Sequence, residues 1–467
     1  MQLERFSLTP AIINRILTVA MSRGANFADL YCEYSRYEGL GLEEGILKSA
    51  SASIECGAGV RVVEGEKTGY AYTEVMEESH FQRAARTAAA IAHQGGDQKA
   101  VQVAPFGIGA FYPVPDPVID EPMPRKIDLI YLADKTARAH HSDVKQVSVY
   151  LGTAHKLILM ADSRGRLVQD IQPMIRFTVS VVVERGGERQ TAMAGDGGRL
   201  GASFLTRDRA IELSKKAVDE ALLLLDARPA PSGMWPVILA PGDSGILLHE
   251  AIGHPLEADF NRKQSSAYAN RLGEKVADAQ CTIIDDGTIE GDRGAINIDD
   301  ELNPSQKTTL IEQGRLVGYM CDETSARFFG VESTGNGRRE SYRYQPIPRM
   351  RTTYMLPGDY DPQEIIASTE KGLYCKTFKG GQVNISNGNF TFVPSEAYWI
   401  EGGRVSHAVK NCTLIGNGPD ALSEVTMVGN DFAISSGIWT CGKDGQSAPV
   451  GVGLPTIKIR EMTVGGA

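Results

Sequence analysis

Ile12, Ile13, Ile16, Leu17 and Ala20 fall on one face of a 3.6-residue repeat. Thr9 and Pro10 supply an N-cap and a first-turn proline, and Gly24 halts the run, so the chain is predicted to open on a helix. The period then changes. Residues 29–74 carry short β-prone runs such as 59–63 and 69–73, broken by glycine, which predicts an antiparallel meander. Helical spacing returns over 77–93, with Phe81, Ala84, Ala88 and Ile91 on one face and Gly95-Gly96 as the stop. A further helix is predicted near 126–141, several strands over 147–194, and then a helix capped by Thr206 that carries Ile211, Val218, Leu222 and Leu225.

Residues 226–233 contain two prolines and a glycine and read as a connection, which divides the chain into an N-terminal α+β domain (1–230) and a C-terminal β-rich domain (231–467). The second domain begins with a strand over 235–240 and a turn over 241–244, in which Asp243 or Ser244 would cap a helix. Beyond that helix, short strands alternate with glycine turns, and no repeat of solenoid period stands out.

The bulk numbers narrow the class. A chain of 467 residues exceeds one ordinary core, and 42% hydrophobic with 23% charged residues is a globular balance. A net charge of −10 argues against general affinity for nucleic acid or anionic membrane. Residues 1–23 mix Glu4, Arg5, Asn14 and Arg15 among apolar positions, so neither a signal peptide nor a membrane span is expected there. Seven scattered cysteines are odd in number and unlike a secreted disulfide framework, which fits a reducing, cytoplasmic setting with most thiols buried and inert.

The most telling string is His249-Glu250-Ala251-Ile252-Gly253-His254. Two imidazoles can ligate zinc, and a carboxylate between them can accept a proton from a water whose pKa the cation lowers. The histidines are five apart rather than four, and on an undistorted α-helix that leaves them about 140° apart. Gly253 and Pro255 flank His254, so the prediction is a widened or broken turn that swings His254 round. The plainer reading of the string is a satisfied histidine pair at a helix end.

Spacing does not select a third ligand. Glu257 and Asp259 fit as ligands, as carboxylates orienting an imidazole, or as solvated residues, while Cys441 sits among glycines and polar residues, a weak sign of a metal-bound thiolate. Arg338, Arg339, Arg343, Arg349 and Arg351 are expected to pair with the chain's own acids, with capture of a substrate carboxylate or oxyanion as the alternative. Residues 242–245 look like a serine-protease nucleophile loop but lack its chain order and disulfide context, so a helix cap is the expected role. The glycine pairs 335–337 and 451–453 lack the setting of a dinucleotide site and are expected to be turns.

Longer strings carry a resemblance. His249-Glu-Ala-Ile-Gly-His-Pro-Leu-Glu-Ala-Asp259, Ser333-Thr-Gly-Asn-Gly-Arg-Arg-Glu-Ser341, Pro348-Arg-Met350, Met427-Val-Gly-Asn430 and Thr440-Cys-Gly-Lys-Asp-Gly-Gln446 with Pro449-Val-Gly-Val-Gly453 are similar to the metal-bearing members of the TldD/PmbA (TldE) metalloprotease family. The likeness covers the whole C-terminal half closely and the N-terminal half loosely. It implies that His249, His254 and Cys441 bind Zn2+ and that Glu250 is the general base. It also implies a cytoplasmic peptidase that cleaves unfolded or flexible peptides inside a dimeric cavity, paired with a homologous PmbA/TldE-type subunit or with a second copy of itself. The competing possibility is a non-catalytic partner or scaffold with a structural metal site. The fold class expected is α+β, with an N-terminal antiparallel sheet flanked by helices and a barrel-like C-terminal domain carrying a metal-binding helix.

Overall fold

The computed structural model describes residues 2–92, 100–112 and 117–466. Helix α1 (Pro10–Ala20) is capped as predicted, with the Thr9 hydroxyl accepting from the Ile12 N–H. Strands β1 (Phe27–Glu43), β2 (Ile46–Glu64) and β3 (Lys67–Thr73) form the antiparallel meander, but its first two members run far longer than the glycine breaks implied. Their pairing runs through the glycines with a register shift only between Gly41 and Leu42. Helix α2 spans Glu78–Ala92, and the predicted Gly95-Gly96 stop lies outside the described residues. Ile91, expected on its buried face, is 57% exposed. Ten residues separate it from Phe81, which turns it about 80° off that face. Ala85, Ala88, Ala89 and Ala92 take the contact instead, because a Cβ on the β3 residue Gly69 would meet the Ala88 carbonyl at 1.9 Å and only small residues fit there.

Helix α3 (Met123–His140) precedes β4 (Val144–Asp162), β5 (Arg166–Arg185) and β6 (Glu188–Gly198), which add to β1 in the order β3-β2-β1-β4-β5-β6. Helix α4 (Arg207–Asp226) follows, capped by Thr206 through the Arg209 N–H. Side-chain alternation then decides which face is covered. Leu30, Leu40, Val149, Leu159 and Phe177 point to the face packed by the four helices, whereas Tyr31, Ile158, Met160 and Val168 point to the opposite face and meet Ile298, Leu302 and Tyr342 of the C-terminal half.

The predicted connection is partly ordered, since Arg228–Pro229 adds as a short parallel strand beside Arg404–Lys410. Beyond it, Gly233–Leu239, Ile457–Gly465, Thr413–Asn417, Asn389–Glu401 and Lys371–Val383 pair in a closed five-strand ring, and a second sheet is built around Ile283–Asp286, Thr352–Met355 and Gly451–Leu454. The α+β class and the barrel are therefore as expected. Residues 451–453 are buried strand rather than turn, because a neighbouring glycine, Gly245, needs its backbone flush against Gly453. No helix among the described residues is long and apolar enough to cross a membrane.

Candidate metal centre

The Gly233–Leu239 strand leaves the barrel through Gly242 (φ 83°) and enters the segment that carries the histidines. Asp243 and Ser244 do not cap it. The Asp243 carboxylate instead accepts from the Trp439 indole N–H at 2.9 Å, and the Ser244 hydroxyl donates back to the Ala240 carbonyl. After one short α turn, Ile246–Leu248, residues His249–Gly253 form a π turn in which the His254 N–H bonds to the His249 carbonyl, and His254–Leu256 tightens to a 3₁₀ turn. An i to i+5 closure places residues five apart above one another, so the two rings lie 5.0 Å between centroids. Gly253 has an ordinary helical φ of −57°, so backbone freedom is not why glycine stands there. A Cβ at that position would lie 1.9 Å from Met350 Sδ, and close packing is the reason.

Cys441 arrives from the hairpin of Thr440–Lys443 with Gln446–Pro449, turned by Asp444 and Gly445 at positive φ. Its Sγ is 3.3 Å from His254 Nε2, and one donor atom each from His249, His254 and Cys441 lie within 4.8 Å of one another, all three residues buried. His249 Nδ1 is buried with no hydrogen-bond partner among the described residues. Two nitrogens and a sulfur at such separations fit a tetrahedral cation, whose N and S ligands sit about 3.3–3.6 Å apart. The site therefore passes the test of its own donor set. Burial pushes the Cys441 thiol up, but the charge and hydrogen bonds of His249 and His254 overcome this and bring it down to about 4, whereas the other six cysteines are all raised, with burial as the largest cause.

Glu257 answers the question the spacing left open. Its carboxylate meets His254 Nδ1 at 3.1 Å, which orients the ring and leaves Nε2 toward the thiol. Lys443, unremarked in the sequence, ties Glu257 (3.2 Å) and Asp259 (2.6 Å) to the cysteine hairpin. Burial would raise Glu257, yet Lys443 and His254 hold it at about 2. Arg349 serves neither substrate nor acid chiefly, since its guanidinium donates to the carbonyls of Cys441 (2.7 Å) and Gln446 (3.1 Å) and fixes the hairpin. Arg339 and Arg343 do pair with the chain's own acids, Asp29 and Glu74. The signal for Lys443 was a long cation two positions from a candidate ligand, whereas Arg349 lies 92 positions from Cys441, and only the tertiary fold tells which anion or carbonyl either meets.

Glu250 shares with the three donors the wall of a cavity of about 470 Å³, which residues 380–383 of a barrel strand, Trp439 and Phe260 also line. Burial raises its carboxyl, partly offset by His249 and His254.

Comparison with known proteins identifies relatives of the whole chain. Profiles of the PmbA/TldA metallopeptidase domains match residues 28–92 (domain 1), 116–225 (central domain) and 232–466 (C-terminal domain). A protein of Haemophilus influenzae named metalloprotease TldD homolog is 43% identical over 478 residues, covering 100% of this chain and 99% of its own. One of Saccharolobus solfataricus named zinc metalloprotease TldD homolog is 28% identical, with 95% and 97% covered. The crystal structure of TldE from Thermococcus kodakarensis superimposes with a TM-score of 0.75 at 19% identity, covering 97% of this chain and 100% of that one, and so shares the fold. On the domain matches and the full-length identity, the chain belongs to the PmbA/TldD metallopeptidase family.

Proposed function

We propose that this protein is a zinc-dependent peptidase acting on unfolded or flexible peptides, with His249, His254 and Cys441 as ligands and Glu250 as general base. The observation that carries the reading is the convergence of two imidazoles and a low-pKa thiol on one point, with Glu250 beside them in the same cavity. Three donors gather there among the described residues, which suits an open coordination position better than a closed structural site. A bound zinc would supply a Lewis acid that acidifies water and polarises a peptide carbonyl. Glu250 takes the proton of the attacking water and returns it to the leaving amine. Glu257 and Lys443 hold the His254 ring and the Cys441 hairpin in place, and the cavity admits an extended chain along residues 380–383. Division into domains 1–230 and 231–467, a cytoplasmic setting, and a second subunit, either homologous or identical, complete the reading.

Glu250→Gln should retain metal while slowing cleavage of a disordered peptide by about 10²–10⁴-fold. Elemental analysis of the wild type, His254→Ala and Cys441→Ala decides the ligand set, because zinc held equally by all three would refute it. Native mass gives the subunit count.

A further inference from the structure

A second cavity, of about 230 Å³, lies between the outer face of the N-terminal sheet and the C-terminal half, with Arg199, just past β6, and Arg338 on its wall. The other wall cations are matched: Lys156 by Glu33 at 3.2 Å and Arg339 by Asp29 at 3.3 Å. The wall acids are engaged as well, Asp300 accepting the Arg339 N–H at 2.7 Å and Glu340 the Ser447 N–H at 2.8 Å. Arg199 and Arg338 are left over. They are 3% and 4% exposed, and among the described residues neither has a carboxylate within 4.0 Å.

Their hydrogen bonds are sparse. Arg199 Nε has no partner, and its Nη1 reaches only the Gln172 amide oxygen at 3.4 Å, while Arg338 donates through Nη1 to the Met350 carbonyl at 2.6 Å. Behind them lies Arg351, which feels Asp299, Asp285 and Asp300 as well as the like charge of Arg199. Arg351, 2% exposed, has no partner for any of its three guanidinium nitrogens. Burial, with the neighbouring charges of Arg351, Arg199 and Arg349, holds Arg338 well below the usual guanidinium range against the weaker pull of Asp300, and burial with Arg176 and Arg199, against Asp292, brings Arg293 down to about 10.

Guanidiniums taken out of water and set against each other are costly, and an oxyanion is the partner whose geometry their forked donors fit. We propose that this cavity is an oxyanion-binding site in which Arg199 and Arg338 grip a carboxylate or phosphate. Its volume falls below the roughly 300–1,000 Å³ of sites for drug-sized ligands, so the occupant is a small anion or the end of a chain. The site is separate from the metal centre yet shares a wall with it. Thr440–Lys443 lines the metal cavity, and its hairpin partner Gln446–Pro449 lines this one through Ser447 and Pro449.

The test is calorimetric titration of the full-length, metal-free protein at constant ionic strength, so the outcome does not depend on peptidase activity. The probes are inorganic phosphate, a short peptide with a free C-terminal carboxylate, and the same peptide as its amide. Saturable binding of phosphate or of the acid peptide is expected, weakened at least about tenfold by Arg199→Gln and by Arg338→Gln and unchanged by Arg343→Gln at the exposed Glu74 pair. Phosphate binding without preference between the two peptides assigns the site to a free anion, and preference for the acid over the amide assigns it to a chain terminus. No saturable binding by the wild type, or equal binding by all variants, overturns the proposal. Should the variants fail to fold, the wild type decides alone: phosphate or the acid peptide must raise its Tm over chloride, and no rise overturns the proposal.

Discussion

Two buried charge clusters flank the Thr440–Pro449 hairpin, and they are built on opposite terms. Around His254, acids and bases interleave: Glu257 receives His254 and Lys443, and Asp259 receives Lys443. One oxygen of Glu257 is still unpartnered, with Arg349 Nε 4.0 Å away. Around Arg338, guanidiniums gather, and Arg176, Arg199, Arg293, Arg338 and Arg351 have no carboxylate within 4.0 Å among the described residues, with Asp285, Asp292, Asp299 and Asp300 acting on the cluster only from farther off. The first arrangement pairs acid with base within the chain and holds the His254 ring and the Cys441 hairpin together. The second spends folding energy that the chain alone does not return, which is the sign of a missing ligand.

The contrast is broken hardest at Lys443. Lys443→Met strands Glu257 and Asp259 as buried anions, and removing one partner of such a network costs about 3–5 kcal/mol. Urea unfolding of the metal-free protein measures it, and a loss under about 1 kcal/mol would show that the network is not coupled. Acid gives the next effect. Glu257 is held at about 2 in the fold against 4.5 ordinarily, so the folded state binds fewer protons than the unfolded one. Its contribution, on the order of 3 kcal/mol, is fully present above about pH 4.5 and is lost as pH falls through 2. In Glu257→Gln, stability should depend less on pH across that window; an unchanged slope there would assign acid sensitivity to other carboxylates.

Much of this was legible beforehand, for reasons that can be stated residue by residue. Thr9 and Thr206 are local caps, and both helices begin where those residues place them. The turn at 249–253 was readable because the spacing of two histidines and the rule for an α-helix conflict, and a π turn resolves the conflict. What failed was read from one element when a second decides it. Ser244 sits at a plausible cap position, yet its hydroxyl goes back to Ala240. Gly253 looked like a hinge and is a packing contact with Met350, ninety-seven positions downstream by numbering. Lys443 and Glu257 belong to a network that exists only once the hairpin folds over the histidine segment. Arg199 and Arg338 are brought to one cavity by two halves of the chain, which no local pattern encodes.

The smallest effect is also the one with an unusual sign. Arg338→Met removes a buried cation repelled by Arg351, Arg199 and Arg349, and gives up a single hydrogen bond to the Met350 carbonyl worth about 1.5–3 kcal/mol. Relief of desolvation and repulsion offsets that loss, so the ligand-free protein should be unchanged or more stable by about 1 kcal/mol, as when other buried charges give way to apolar side chains of similar size. Thermal or urea unfolding in chloride buffer reads it directly. A destabilisation comparable to that of Lys443→Met would mean that the arginine cluster is as well paired as the one around His254, and the distinction between a finished network and one waiting for an anion would be lost.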